Sequence, residues 1–180
     1  MGWNNYESQE TRFEKTFEHV DFGGKIVLDI GCGFGDFYPE VDSRFLIANY
    51  KGIDINDTLL EEARRLYPHL EFENINILLN NYKKKQADIV VAFGLLNFKI
   101  EDNLAYTKKF IESAWSITKE TLVVDFLSSH LDNSYPEEGA VYYHNPKDVL
   151  DICFELTDNV VLVHDYQPIP QKEFMIILRR

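Results

Sequence analysis

Cysteine is scarce in this chain: two residues in 180, Cys32 and Cys153. Cys32 lies inside a glycine-rich stretch, where a disulfide would distort the turn. Both are expected as reduced thiols of a cytoplasmic protein, with no disulfide framework behind the fold. Long apolar runs are missing too. None reaches the roughly 18 residues of a membrane helix. The stretch Met1–Gln9 has neither the apolar core nor the basic flank of a secretory signal. Gly2 follows Met1, but Tyr6 stands where myristoylation requires Ser or Thr.

Positive charge is the next deficit. Lys and Arg number 18 against 30 Asp and Glu, a net charge of −12. A nucleic-acid binder normally carries a basic face, because phosphate contacts supply most of its affinity. The one basic cluster, Lys83-Lys84-Lys85, reads as a solvated loop. Acidity also disfavours an anionic membrane surface. It suits a neutral or cationic small substrate, or a protein partner. His19, His69 and His164 are scattered, and with Cys32 and Cys153 far apart no zinc spacing appears. Neither G-x-S-x-G nor a phosphate-binding P-loop occurs. What is present is apolar and aromatic residue in quantity, 45% and 14%, enough to build a globular core. The length reads as one domain over residues 1–180, without repeat or linker.

Strand and helix patterns alternate along it. Residues 6–20 space Phe13, Phe17 and Val20 as on a helix, broken by Asp21-Phe22-Gly23-Gly24. Strand 25–30 precedes a helix from about 36 to 49, and a short strand follows at 50–54. Asn56 reads as the cap of a helix over 57–67, which stops before Pro68. Strands are expected at 70–76 and 87–93, the latter fully apolar as in a parallel sheet. Helix 100–118 is expected to turn Leu104, Phe110, Ile111 and Ala114 inward, and strand 121–127 follows. Residues 128–145 form a long polar and aromatic connection. Pro146 opens a last helix, to about 156. The β-rich runs 160–166 and 174–178 are joined by too few residues for a crossover helix, so they form an antiparallel hairpin.

The densest signal is Ile26-Val-Leu-Asp-Ile-Gly-Cys-Gly-Phe-Gly-Asp-Phe37. An apolar run carries an acid, Asp29. Gly31, Gly33 and Gly35 follow at every second position, and a helical pattern begins. A buried strand running through glycines into a helix is a nucleotide-binding corner. Glycine lets the backbone turn sharply and approach a ligand. The spacing disfavours a dinucleotide fingerprint, G-x-G-x-x-G, because Asp36 stands where its third glycine would be.

The pattern Asp-x-Gly-x-Gly-x-Gly resembles the first motif of the class I S-adenosylmethionine-dependent methyltransferases. The resemblance covers roughly residues 23–180. It implies an α/β fold: a seven-stranded, mostly parallel sheet of order 3-2-1-4-5-7-6, strand 7 antiparallel, with helices on both faces. It implies S-adenosylmethionine as cofactor. The glycines would pass under its methionine part together with Cys32, and Asp29 would receive its amino group. Asp54, ending the second strand, would accept both ribose hydroxyls. Ile55 would press on the adenine. Asn76 stands where the family usually has Asp, and would accept from the adenine amino group, with Ile77 donating its backbone N–H. Phe93 and Gly94, at the end of the fourth strand, would line the methionine side.

On the acceptor side, the Asp/Asn-Pro-Pro-aromatic motif of base and glutamine methylation is absent after Phe93. Asn97 either touches substrate or caps the next helix. The connection 128–145 leaves the ligand edge of the sheet, and its Tyr135, Tyr142 and Tyr143 can wall an acceptor site. Glu137 and Glu138 would favour a cationic acceptor. His130 is the candidate general base. The helix within 1–22 would act as a lid, with Arg12 facing the methionine carboxylate or making a surface salt bridge. The N-terminal stretch, the glycine loop and the ending Pro170-Gln-Lys-Glu-Phe-Met-Ile resemble a small bacterial group of methyltransferases. The expected activity is methyl transfer to an O, N or C nucleophile of a small-molecule acceptor, without nucleic acid or membrane. A homodimer is compatible with the chain. The alternative is a non-catalytic S-adenosylmethionine-binding or interaction protein of the same fold.

Overall fold

The computed structural model describes residues 6–79, 87–131, 138–166 and 172–180. Tyr135, Glu137 and Lys83–Lys85 lie outside them. In chain order the elements are α1 (Tyr6–His19), β1 (Ile26–Ile30), α2 (Phe37–Phe45), β2 (Asn49–Asp54), α3 (Asp57–Leu66) and β3 (Glu71–Asn74). β4 (Ala87–Ala92), α4 (Asn103–Ile117), β5 (Thr118–Leu127), α5 (Pro146–Phe154), β6 (Val160–Val163) and β7 (Glu173–Arg179) follow. The seven strands form one sheet of order β3-β2-β1-β4-β5-β7-β6. Pairing is parallel from β3 to β5, and β7 runs antiparallel to both β5 and β6. This is the expected order, including the terminal hairpin.

Period-2 alternation sends each strand's side chains to two cores. On one face Leu28, Val90, Leu122 and Ile176 pack against Phe110, Ile111 and Ala114 of α4 and Val149 and Ile152 of α5. On the other, Val27, Ile89, Val123 and Ile177 pack against Phe13 of α1, Phe37 and Val41 of α2 and Leu60 of α3. Both faces are covered, as the unbroken apolar strands require. The chain leaves β1 toward β2 and β3 on one side and enters β4 and β5 on the other. The strand order therefore reverses between β1 and β4, where open α/β sheets form a crevice at the carboxyl ends.

Local chemistry sets the helix limits. Asn56 Oδ1 accepts from the amides of Thr58 and Leu59 at 3.0 and 3.4 Å, and α3 ends before Pro68 as expected. Asn145 caps α5 with Pro146 in its first turn. α2 is shorter than its pattern suggested. Leu46 turns left-handed at φ 50° and closes the helix on the Asp42 carbonyl, which frees Asn49 for β2. α4 starts three residues later than expected, because Asp102 accepts from the Ala105 amide at 3.0 Å and caps it. Leu104 consequently lies 40% exposed in the first turn, whereas Phe110, Ile111 and Ala114 are buried. Among the described residues no helix is long and apolar enough to cross a membrane.

Candidate active site

The glycine loop is held against the end of β2. The amides of Gly31 and Cys32 both donate to the Ile53 carbonyl, at 2.7 and 3.1 Å. The Gly33 amide donates to Asp54 Oδ2 at 3.0 Å, and the Asn56 amide donates to Asp54 Oδ1 at 2.9 Å. Asp54 thus ends β2 with both oxygens anchored by backbone donors, and each keeps a lone pair for a further donor. Gly33 adopts φ +56°, and a Cβ there would meet nothing within 4 Å. The backbone at Gly33 therefore borders open space. Gly31 differs: a Cβ there would collide with the Leu95 side chain, from the turn after β4.

A cleft opens over this loop. Asp29, Gly31, Cys32, Gly33 and Phe93 line it together. So do Gln9 and Phe13 of α1, with Asp36 and Phe37 at the start of α2. Phe13 packs on Phe93 and Phe37, with ring centroids 5.5 and 4.9 Å apart. Gln9 Nε2 reaches Asp36 Oδ2 at 3.4 Å. Helix α1 therefore forms a wall of the cleft.

The electrostatics of the cleft are acidic. Burial pushes the Asp29 carboxyl up to about 7, the Tyr50 hydroxyl pulls the other way, and the charges of Asp54 and Asp36 add to the rise. Burial also raises the Cys32 thiol, with Asp29 and Asp54 adding to it, so the sulfur stays protonated and inert. In the unfolded chain Asp29 titrates near 4. Between about pH 4 and 7 the native state holds a proton that the unfolded chain has released. The stability tied to this group is complete below that window and is lost as pH rises through it. Asp29→Asn is expected to be more stable than the parent at pH 8, on the order of 2 kcal/mol. The gap should close near pH 4.5, as read by urea denaturation at the two pH values. A constant gap would mean that Asp29 titrates normally.

The other expected residues are distributed as follows. Ile55 is 68% exposed beside Asp54, an apolar side chain with a free face. Asn76 Oδ1 accepts from the Leu78 amide at 2.9 Å, closing a turn, and Ile77 is buried in the core. The Gly94 amide donates to Asp125 Oδ1 at 2.6 Å. Asn97 is neither cap nor open: its Oδ1 accepts from the Leu127 amide at 3.2 Å, and its carbonyl from the Tyr142 amide at 2.9 Å. It stitches the turn after β4 to the connection after β5. The Tyr142 ring packs edge-on against His144, 4.6 Å away, and the Tyr143 hydroxyl accepts from the Glu138 amide at 3.0 Å. His130 is exposed beyond β5, its ring 5.9 Å from that of His164.

Arg12 departs from both expectations for it. It is 2% exposed. Its Nε lies 2.8 Å from Asp125 Oδ2, and its guanidinium binds both oxygens of Glu173. Three elements, α1, β5 and β7, meet at this ion cluster. It is not among the residues lining the cleft. Asp125 and Glu173 are acids at the apolar stretches 122–127 and 174–178, positions where a buried carboxylate requires a partner.

A family model described as a methyltransferase domain matches residues 27–120, just over half of the chain. A protein of Mycobacterium tuberculosis provisionally named a methyltransferase is 26% identical over 162 residues, covering 86% of this chain and 92% of its own. A protein of invertebrate iridescent virus 6, also provisionally named a methyltransferase, is 27% identical over 163 residues, of which this chain spans 58% of the viral length. Among solved structures, an S-adenosylmethionine-dependent methyltransferase of Mesorhizobium loti superposes with a TM-score of 0.72 at 13% identity, over 96% of this chain and 98% of that one. The magnesium protoporphyrin IX methyltransferase of Synechocystis, solved with bound S-adenosylhomocysteine, gives 0.71 at 15% identity, over 100% and 90%. These two share the fold.

Proposed function

The chain belongs to the methyltransferase domain family, and on that premise we propose that it transfers the methyl group of S-adenosylmethionine to an O, N or C nucleophile of a small-molecule acceptor. The observation that carries the reading is that Asp29 and Gly33 line one cleft at the sheet's reversal point, with Asp54 bonded to the Gly33 amide beside it. The open space at Gly33 suits the methionine chain lying on the backbone. Asp54 suits a ribose diol: its carboxylate is already oriented by two amides and has lone pairs to spare. The exposed face of Ile55 suits the adenine. The acidic lining suits a ligand with two positive centres, a sulfonium and an ammonium, and repels a pyrophosphate.

The cofactor brings an activated methyl group on its sulfonium. The protein's part is then to bind, orient and exclude water. Phe13, Phe37 and Phe93 form an aromatic wall that keeps the methionine side dry. The connection after β5 laces onto the turn after β4 through Asn97, and in this reading Tyr142 and Tyr143 on that connection serve the acceptor. His130 is the group assigned to take the acceptor's proton, where the nucleophile carries one. A net charge of −12 supports a small acceptor over a nucleic acid.

Calorimetry with S-adenosylhomocysteine tests the cofactor, and release of that product from S-adenosylmethionine in the presence of a metabolite extract tests the activity. Asp54→Ala is expected to weaken binding by about 1.5–3 kcal/mol, or roughly ten- to 150-fold, through loss of charge-assisted contacts. Unchanged affinity in a folded Asp54→Ala protein removes Asp54 from the site. Tight binding with no turnover in any extract would favour the non-catalytic alternative.

A further inference from the structure

Asp29 lines the cleft yet is only 4% exposed. Its Oδ2 accepts from the Tyr50 hydroxyl at 2.6 Å. Tyr50 is 1% exposed and comes from the neighbouring strand. β1 and β2 run parallel, with Val27 opposite Tyr50 and Asp29 opposite Gly52. These four positions share one face of the sheet. Gly52, directly beside Asp29, brings no side chain to compete for it. The phenol ring is held between Tyr38 and Phe72, with centroids 5.4 and 6.3 Å away. Packing alone asks for neither the hydroxyl nor the carboxyl, since two apolar groups of the same shape would serve the core about as well. The polar pair stands where the cleft reaches the sheet.

We propose that Tyr50 is the positioning residue for the amino group of the cofactor: its hydroxyl holds one oxygen of Asp29, orients the carboxylate, and leaves the second oxygen to accept from the ligand's ammonium. This rests on the reading of the cleft as an S-adenosylmethionine site. The groups that face Asp29 are Tyr50 and Asp54 from β2 and Asp36 before α2, with the protonated Cys32 thiol in the loop. The two acids and burial oppose the charge of Asp29, and Tyr50 supports it. Near neutral pH the hydroxyl therefore increases the anionic share of Asp29, against burial and the two acids. An ammonium pairs only with the anion. Binding should strengthen as pH rises toward 7, with release of a proton, and removal of the hydroxyl should move that rise to higher pH.

The test is calorimetry from pH 5.5 to 7.5, a range in which the ligand's own α-amino group stays largely protonated. The proteins are the parent, Tyr50→Phe and Tyr50→3-fluorotyrosine. The last keeps the ring's shape and makes the hydroxyl a stronger donor. The ligands are S-adenosylhomocysteine and 5′-methylthioadenosine, which has the adenosine but no amino acid. For S-adenosylhomocysteine, affinity should climb with pH in the parent. Tyr50→Phe should bind about tenfold more weakly at pH 6.5, its climb displaced upward. Tyr50→3-fluorotyrosine should displace the climb downward. Methylthioadenosine should bind all three proteins alike at every pH. A Tyr50→Phe loss that is equal at every pH, or equal for both ligands, would show that Tyr50 only packs, and the proposal would be wrong. Should Tyr50→Phe fail to fold, an unmoved climb in the fluorotyrosine protein overturns the proposal by itself. If neither ligand binds the parent, the cofactor reading falls, a result distinct from any behaviour of Tyr50.

Discussion

Gly33→Val is expected to abolish binding of S-adenosylmethionine and S-adenosylhomocysteine while the fold survives. A Cβ at position 33 would meet no protein atom within 4 Å. The two methyl groups of valine would therefore stand in the space over the loop, where the ligand must lie against the backbone. The substitution also strains the chain, because Gly33 holds φ +56° and a β-branched residue resists that region. The strain is on the order of 1–2 kcal/mol, about 2–8 °C in melting temperature for a chain of this size. Affinity should fall by about 100-fold or more, beyond what that strain explains. Calorimetry beside a thermal melt separates the two effects. Affinity retained within a few-fold would mean that the glycine loop is not the floor of the site. Gly33→Ala, with the same backbone demand and less bulk, should fall between the two.

Arg12→Ala is expected to cost about 3–5 kcal/mol of stability, the range for removing one partner from a buried ion cluster. The guanidinium is 2% exposed, and the carboxylates that it serves, Asp125 and Glu173, are 1% and 2% exposed. Without Arg12 both would remain buried in unfavourable surroundings. The loss should depend on pH in a definite direction. Burial raises both carboxyl groups above their ordinary range, and Arg12 opposes that rise. Its removal raises them further, so the native variant holds protons that its unfolded chain releases, and its stability falls as pH climbs. Urea denaturation should show a larger deficit at pH 8 than at pH 5.5. A deficit below about 1 kcal/mol, or one without pH dependence, would reduce the cluster to the weight of a surface ion pair. The Gly94 amide is bonded to the same Asp125, and Gln9 and Phe13 flank Arg12 on α1. The variant should therefore also bind the cofactor more weakly.

Much of this protein is legible in its sequence because the signals are local. The apolar runs of β1, β4 and β5 announce a sheet buried on both faces. The loop between the β6 and β7 runs is too short for a crossover, which dictates the antiparallel hairpin. Asn56 and Pro68 bracket α3 by hydrogen-bonding and steric rules that act within a few residues. The glycine loop and Asp54 read as a nucleotide-binding corner, because glycine lets a backbone turn sharply and come close to a ligand. The tertiary structure alone decided the rest. Tyr50 reads as one more β-forming aromatic until the register sets it beside Asp29. Arg12 reads as a contact for the methionine carboxylate or a surface ion pair until α1 docks over β5 and β7. Asn97 reads as a substrate contact or a helix cap until Asp102 caps α4 and the connection returns to meet it. Each of these depends on groups 21 to 161 positions apart in the chain. Propensity and periodicity carry no information about such pairs. Burial supplies it, because a polar group withdrawn from water must find its partner wherever the fold brings one.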